Sequence, residues 1–171
     1  MQQELRLRSL EKDDLEFLHK LYNDPNVMDY WFAESHYSYQ LIKNQFENNL
    51  ESTEHREFIL CSNEERIGFV GIFSISQRHR NAEFAIMIDP NHQGNGYAIT
   101  ATRLAMDYAF NVLNLHKLFL YTDKINEKAI HIYEKAGFRF EGELPEHAFV
   151  NGRYHDLITM SVFQRDYRQR F

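Results

Sequence analysis

Three strand-like segments that follow one another without a helix between them constrain the fold most. The runs EFILCS, RIGFVGIFSIS and AEFAIMID are rich in β-branched and aromatic residues, and only the polar turns at residues 63–65 and 77–81 separate them. Connections this short join antiparallel neighbours, whereas parallel neighbours need a crossover of about a dozen residues or more. The sequence therefore predicts an antiparallel meander.

The remaining hydrophobic spacing predicts a mixed architecture. Alternation in ELRLRSL indicates a first strand, and helical spacing predicts helices over residues 13–22 and 39–50. After the meander we expect a helix ending near residue 113, the strand HKLFLYT, the helix NEKAIHIYEKAGF, and the strands RFEGEL and YHDLITMSVFQ. The expected fold class is α/β (α+β): a single domain over residues 1–171, with a mixed, mostly antiparallel sheet of about seven strands flanked by about four helices.

The composition argues against several classes of protein. A net charge of −6 disfavours a nucleic-acid partner, and one cysteine, Cys61, excludes an internal disulfide. No apolar run approaches the roughly 20 residues that a membrane span requires. The nine histidines show no metal-ligand spacing. We therefore expect a cytoplasmic protein with no metal and no nucleic-acid or membrane partner.

A glycine turn, HQGNGYAITA, joins the last strand of the meander to the next helix. Gly94 and Gly96 leave the backbone open to a ligand, and a helix N-terminus attracts phosphate. The nucleoside-triphosphate loop needs a Gly-Lys pair, which this chain lacks, and the dinucleotide fingerprint needs a third glycine where Ile99 stands. Coenzyme A is the remaining ligand class, and a glycine-capped helix without a ligand is the alternative.

Two motifs in this region resemble a known superfamily. The stretch QGNGYA resembles the Q/R-x-x-G-x-G/A signature of the Gcn5-related N-acetyltransferases (GNAT), with Gln93, Gly96 and Ala98 at the key positions. The stretch NEKAIHIYEKAGF resembles that superfamily's second signature. The segments MDYWF, RNAEFAIMI, NLHKL and NGRYHD look like those of the bacterial spermidine N-acetyltransferases, and the ribosomal-protein N-terminal acetyltransferases share the general layout.

The resemblance implies acetyl-CoA as the co-substrate and assigns three groups of residues to it. The last strand of the meander would pair through its backbone with the pantetheine amides, the turn would hold the pyrophosphate, and the next helix would contact the cofactor at its start. In that order the residues are Ile86, Met87 and Ile88; Gln93, Gly94, Asn95, Gly96, Tyr97 and Ala98; and Asn126. A simple helix N-cap explains Asn126 equally well.

Two residues are the catalytic candidates. The resemblance makes Tyr133 the general acid that protonates the departing thiolate, although helical spacing alone would make it an ordinary core aromatic. The acceptor amine arrives as an ammonium with an ordinary pKa of about 10.4, so a proton acceptor is needed. Glu83 is the candidate, directly or through water, and an electrostatic anchor for the substrate is its alternative role. Cys61 is expected to be core packing rather than a nucleophile.

An aromatic and acidic segment before the second long helix supplies the acceptor site. Aromatic faces suit methylenes and ammonium groups, and carboxylates suit a polycation. The predicted substrate-binding residues are Met28, Tyr30, Trp31, Glu34 and Glu83, with Phe32 in the same segment. Glu51, Glu54 and Glu57 either add negative charge nearby or are solvated surface residues.

The expected reaction is direct transfer of the acetyl group from acetyl-CoA to a primary amine of spermidine or spermine. Acetylation of a ribosomal-protein N-terminus is the enzymatic alternative, and a non-catalytic CoA-binding or polyamine-sensing module is the alternative from another class. The resemblance also implies a homo-oligomer, specifically a dodecamer. In one respect the chain departs from the spermidine family: Ala33, Ser74 and Gly71 stand where that family carries the carboxylates of a metal-and-polyamine effector site.

Overall fold

A computed structural model describes residues 4–170 and arranges them around one seven-stranded sheet. The strands are β1 (Leu5–Ser9), β2 (Arg56–Ser62), β3 (Glu65–Ser76), β4 (Asn81–Ile88), β5 (Lys117–Asp123), β6 (Arg139–Val150) and β7 (Arg153–Phe163). Their order is β1-β2-β3-β4-β5-β7-β6, and only the β4–β5 pair is parallel. The predicted meander and the mixed, mostly antiparallel sheet are confirmed.

Six helices occur in the described part of the chain. They are α1 (Leu15–Tyr22), α2 (Pro25–Met28), α3 (Tyr39–Asn49), α4 (Tyr97–Asp107), α5 (Glu127–Ala136) and α6 (Gln164–Arg170). The four predicted helices are α1, α3, α4 and α5, and α4 continues as a π-helical turn over Tyr108–Val112. The short helices α2 and α6 were not predicted, and β6 runs six residues past the predicted end at residue 144, to Val150.

Helices cover both faces of the sheet, so the strands in its centre are buried on both sides. One face packs on α4 and α5 around Phe84, Ala105 and Leu118, and the other packs on α1 and α3 around Leu18 and Phe69. Successive side chains of β4 alternate between these two cores, as strand geometry requires. This alternation decides which residues of β4 point to the α4 and α5 side of the sheet and which point to the α1 and α3 side.

The β4–β5 pair is short and forms a fork in the sheet. The ladder joins Asn81 to Lys117, Ala82 to Leu118 and Glu83 to Phe119, and it goes no further. Beyond Glu83 the two strands diverge, although β4 continues to Ile88 and β5 to Asp123. The backbone edge of β4 is therefore open to a ligand along its second half.

A buried carboxylate fixes the beginning of the chain to the sheet. Asp14 accepts hydrogen bonds from both terminal nitrogens of Arg8 at 2.6 and 2.8 Å and from Nε of Arg66 at 2.6 Å, and its side chain is only 1% exposed. Burial by itself raises the pKa of Asp14, but the hydrogen bonds from Arg8, the Glu11 amide and Arg66 outweigh it and lower the pKa to about 2. The carboxylate is thus ionised throughout the neutral range.

Candidate active site

The glycine turn has the backbone that its sequence predicts. Gly94 and Gly96 adopt φ angles of 85° and 76°, a region that other residues avoid, and Gly96 is the N-cap of α4. No heavy atom lies within 4 Å of a Cβ built on either glycine. Because the first N–H groups of a helix have no intrahelical partners, open space in front of α4 is a fitting place for a phosphate group.

A cavity of about 440 Å³ lies between this turn and α5, and we call it the turn cavity. Its walls hold the predicted residues Ile88, Gln93, Gly94, Gly96, Tyr97, Ala98 and Asn126. Lys128 and His131 also line it and were not predicted. Their spacing of three residues on a predicted helix was the available signal, because such residues share one helical face. Lys128 adds a positive charge opposite the turn, and His131 adds an imidazole ring.

Asn126 holds both of the positions that its sequence suggested. Its side-chain oxygen accepts a hydrogen bond from the Ala129 amide at 3.1 Å and so caps α5. The residue also lines the turn cavity and the cavity beside it. The N-cap role is observed, and the cofactor contact stays a prediction.

The open edge of β4 presents backbone groups of two residues, Ile86 and Ile88. The carbonyl of Ile86 accepts a hydrogen bond from Nε1 of Trp31 at 3.1 Å, and that of Ile88 accepts one from Gln93 at 3.3 Å. Asp89, one residue further, donates its amide to Ile67 on the opposite, β3 side. Because strand residues alternate in direction, Met87 also directs its backbone to β3. The backbone of Met87 therefore faces away from the open edge and its side chain is core, 2% exposed, while its predicted cofactor contact stays a prediction.

A second cavity, of about 520 Å³, opens at the divergence of β4 and β5, and we call it the fork cavity. Its walls are rich in aromatic rings, contributed by Tyr30, Trp31, Phe32, Phe73, Phe84, Tyr121, Tyr133 and Phe149. Glu83 is the only carboxylate among the lining residues that the structure describes. The two cavities share Tyr30, Ala98, Asn126, Ala129 and Ile132 in their walls, so they adjoin at the fork, and we call the pair the cleft.

Tyr133 lies in the wall of the fork cavity. Its ring packs edge-on against Phe84 at 6.3 Å between centroids and contacts Phe138 at 6.0 Å. Burial raises the pKa of its hydroxyl to about 12, so the phenol keeps its proton at neutral pH. Within residues 4–170 that hydroxyl has no hydrogen-bond partner. It is thus a proton donor without an acceptor among the described residues.

Glu83 occupies the point at which the fork begins. It is half-buried, and it stands opposite Phe73 in the β3–β4 ladder. Burial raises the pKa of the Glu83 carboxyl, because the charged form loses hydration. A carboxylate with a raised pKa is a better proton acceptor than one in water, which suits the predicted role.

The structure separates the predicted acceptor residues into two groups. Tyr30 and Trp31 line the fork cavity, and the Trp31 ring contacts Phe69 and Phe73 at 6.0 and 6.3 Å. Met28 is core, 1% exposed, and its predicted contact with substrate stays a prediction. Glu34 is exposed and is not among the residues that line the fork cavity.

The other acidic candidates and Cys61, which the sequence analysis named, lie away from the cleft. Glu51 and Glu57 line a separate cavity of about 310 Å³, and Cys61 is buried packing, as predicted. The described residues contain no group of three or more His, Cys, Asp or Glu side chains arranged for a metal ion. No helix among them is long and apolar enough to cross a membrane.

The glycine turn, the fork and the cleft together are the architecture of an acetyltransferase. The model of the acetyltransferase (GNAT) domain family matches residues 4–139, and the chain therefore belongs to this family. Within it, the chain resembles the bacterial spermidine N-acetyltransferases.

Three comparisons carry this resemblance. Spermidine N(1)-acetyltransferase of Escherichia coli strain K12 is 45% identical over 163 residues, which are 95% of this chain and 88% of that protein. The enzyme of the same name from Vibrio cholerae serotype O1 is 42% identical over 171 residues, 99% of each chain. The crystal structure of spermidine N-acetyltransferase from Vibrio cholerae with CoA and spermine matches with a TM-score of 0.94 at 42% identity, covering 96% of this chain and 98% of that one.

Proposed function

We propose that this chain is an acetyl-CoA-dependent N-acetyltransferase that acetylates a primary amine of a polyamine, spermidine or spermine. The observation that carries the proposal is that the turn cavity adjoins the fork cavity, whose walls contain both Tyr133 and Glu83. The two curated relatives are named as spermidine acetyltransferases, and the matching crystal structure holds CoA and spermine, which supports both ligands.

The cleft fits acetyl-CoA, which would supply an acetyl group activated as a thioester. The turn residues Gln93, Gly94, Asn95, Gly96, Tyr97 and Ala98 would hold its pyrophosphate in the open space before α4. The open edge of β4 would pair with the pantetheine amides through Ile86 and Ile88, as an added strand would. Asn126 would contact the cofactor from the start of α5.

The acceptor would enter the fork cavity with its reacting amine toward Glu83. Aromatic rings attract ammonium groups and cover methylenes, and Tyr30 and Trp31 supply such surfaces. Glu83 would take a proton from the ammonium, and the free amine would then attack the acetyl carbon. As the carbon–sulfur bond breaks, the Tyr133 hydroxyl would donate to the departing sulfur.

The test is the release of thiol from acetyl-CoA with each candidate acceptor in parallel. We expect turnover with spermidine and spermine well above the rate without an amine. Faster turnover with N-terminal peptides of ribosomal proteins than with polyamines would replace the proposal with the peptide alternative. Binding of acetyl-CoA and polyamine without any turnover would replace it with the non-catalytic module.

Three further features of the protein are proposed with it. We propose a homo-oligomer, specifically a dodecamer, in which contacts would cover two exposed apolar residues, Leu41 of α3 and Leu50 directly after it; sedimentation would test this. We also propose a cytoplasmic location, which cell fractionation would test. We propose a single domain over residues 1–171, which one cooperative unfolding transition would support.

A further inference from the structure

We propose that His147 carries the proton released during acetylation from the fork cavity to solvent. The inference rests on the proposed function and adds one residue to it. His147 lies on β6 and lines the fork cavity, yet its side chain is also exposed to solvent. It therefore borders both the reaction chamber and water.

A local irregularity of β6 puts His147 in this position. Leu144 pairs with Leu157, and the next pair is Ala148 with His155, so three residues of β6 stand opposite one residue of β7. Such bulges redirect side chains, and they are frequent beside active sites. Pro145 suits the irregularity because it cannot donate to a strand ladder.

The bulge is held by a specific contact. Glu146 adopts a φ of 50°, in the left-handed region, and its amide donates to Oδ1 of Asp156 at 2.8 Å. A left-handed conformation at a residue other than glycine costs about 1–2 kcal/mol, so the surrounding contacts must maintain it. The placement of His147 is thus built into the hairpin of β6 and β7.

The proton balance of the reaction shows why such a residue is needed. An alkylammonium and acetyl-CoA give an N-acetylamine, free CoA and one proton. The nitrogen forms a bond to the acetyl carbon and loses two protons in all, while the carbon–sulfur bond breaks. One proton restores Tyr133 after the phenol has given its own proton to the sulfur, and the other passes to Glu83. Glu83 is half-buried, so each turnover must return that second proton to water.

His147 is the group best suited to accept the second proton from Glu83. The ionisable side chains that line the fork cavity are Tyr30, Glu83, Tyr121, Tyr133 and His147. An imidazole gains and loses protons in the neutral range, whereas a phenol does not. The route from Glu83 to His147 stays within the fork cavity, because both residues line it.

Two ionisable side chains of β7 opposite the bulge are engaged elsewhere. His155 of β7 bonds through Nδ1 to Asp123 of β5 at 2.5 Å. Asp156 accepts from the Glu146 amide and lies 3.8 Å from Nζ of Lys124. Neither lines the fork cavity, and His147 is the one histidine among the described residues that do.

The test compares His147→Gln with the parent enzyme and with His79→Gln, a matched control in the exposed turn between β3 and β4. We expect kcat with spermidine to fall roughly tenfold in His147→Gln at neutral pH and in dilute buffer. Loss of a residue that acts directly as acid or base typically costs a larger factor, about 10² or more. Added imidazole buffer should restore most of the rate. The thermal shift produced by CoA should be unchanged, and His79→Gln should match the parent.

The outcomes separate this inference from the proposed function. An inactive parent would overturn the proposed function itself. An active parent together with a His147→Gln variant of equal rate at every buffer concentration would overturn the relay alone. A slow His147→Gln variant that imidazole does not rescue would also overturn it, because a packing defect would not respond to buffer. His147→Ala, with more room for imidazole, should show the larger rescue.

Discussion

Replacing Tyr133 with phenylalanine tests the chemistry of the cleft with the least disturbance. The change removes one oxygen and keeps the ring that packs on Phe84 and Phe138. Because the hydroxyl has no partner within residues 4–170, its loss leaves no buried group unsatisfied. We therefore expect the free energy of unfolding and the affinity for CoA to stay close to those of the parent.

The size of the rate loss follows from the pKa of the phenol. Tyr133 has a pKa of about 12, whereas an ordinary thiol has one of about 8.5, so full transfer to the sulfur is uphill by about 5 kcal/mol. In the transition state the main contribution of Tyr133 is then a hydrogen bond to the sulfur as its charge develops, and the proton crosses to the sulfur only as Tyr133 regains one from the nitrogen. A hydrogen bond to a charged group is worth about 1.5–3 kcal/mol, which corresponds to a fall in kcat of roughly 10- to 150-fold.

The assay is single-turnover acetyl transfer with saturating acetyl-CoA and spermidine, with the binding of CoA measured separately. Tyr39→Phe on α3 is the matched control, since it removes a phenol that lines neither cavity of the cleft. A Tyr133→Phe enzyme that binds CoA normally and keeps kcat within twofold of the parent would refute the assignment. A loss above about 10³-fold would instead refute the hydrogen-bond argument and favour complete proton transfer.

Three other substitutions test separate parts of the structure. Glu83→Gln should lower kcat/KM for spermidine at least tenfold. It should also remove the loss of activity that protonation of Glu83 causes as the pH falls. Profiles of rate against pH check this, and a variant whose activity falls at low pH as that of the parent does would contradict it. Gly96→Ala should cost about 1–2 kcal/mol at a φ of 76° and weaken acetyl-CoA binding, which calorimetry measures. The pKa of Asp14 is about 2 in the folded protein, below the ordinary 3.8. Its ionised form therefore contributes about 2 kcal/mol to the free energy of unfolding above pH 4, and this contribution is lost as the pH falls toward 2. Denaturant titrations should show the loss in the parent and not in Asp14→Asn.

The sequence predicts most of the fold because its patterns are local. Alternation and turn residues identify the meander, and helical spacing identifies α1, α3, α4 and α5. The helix α2 was missed because it has only four residues, which is too short for a periodic pattern. The capping residue Asp24, whose side chain accepts from the Asn26 amide, and Pro25 at the first helical position were the available signals.

The site is predicted less completely, because it depends on relations between elements. No pattern within β4 indicates that its pairing with β5 stops at Glu83. The fork, and the direction in which the Met87 backbone points, therefore appear only in the assembled sheet. Met28 was assigned to the acceptor site with its neighbours, and only the structure shows that it lies at the end of α2 with its side chain in the core. His147 was missed because a bulge brings it to the cavity, and Pro145 inside a strand pattern was the only local hint.

The three-residue contact between β4 and β5 has a mechanical consequence for the whole molecule. It is the narrow seam between a four-stranded half, β1 to β4, and a three-stranded half, β5, β7 and β6. A ligand that bonds to the open edge of β4 and rests against α5 replaces part of the missing ladder and ties the halves together. Acetyl-CoA would then be a structural member as well as a reagent. Its binding should slow hydrogen exchange on both sides of the seam at once, well beyond the residues that it touches.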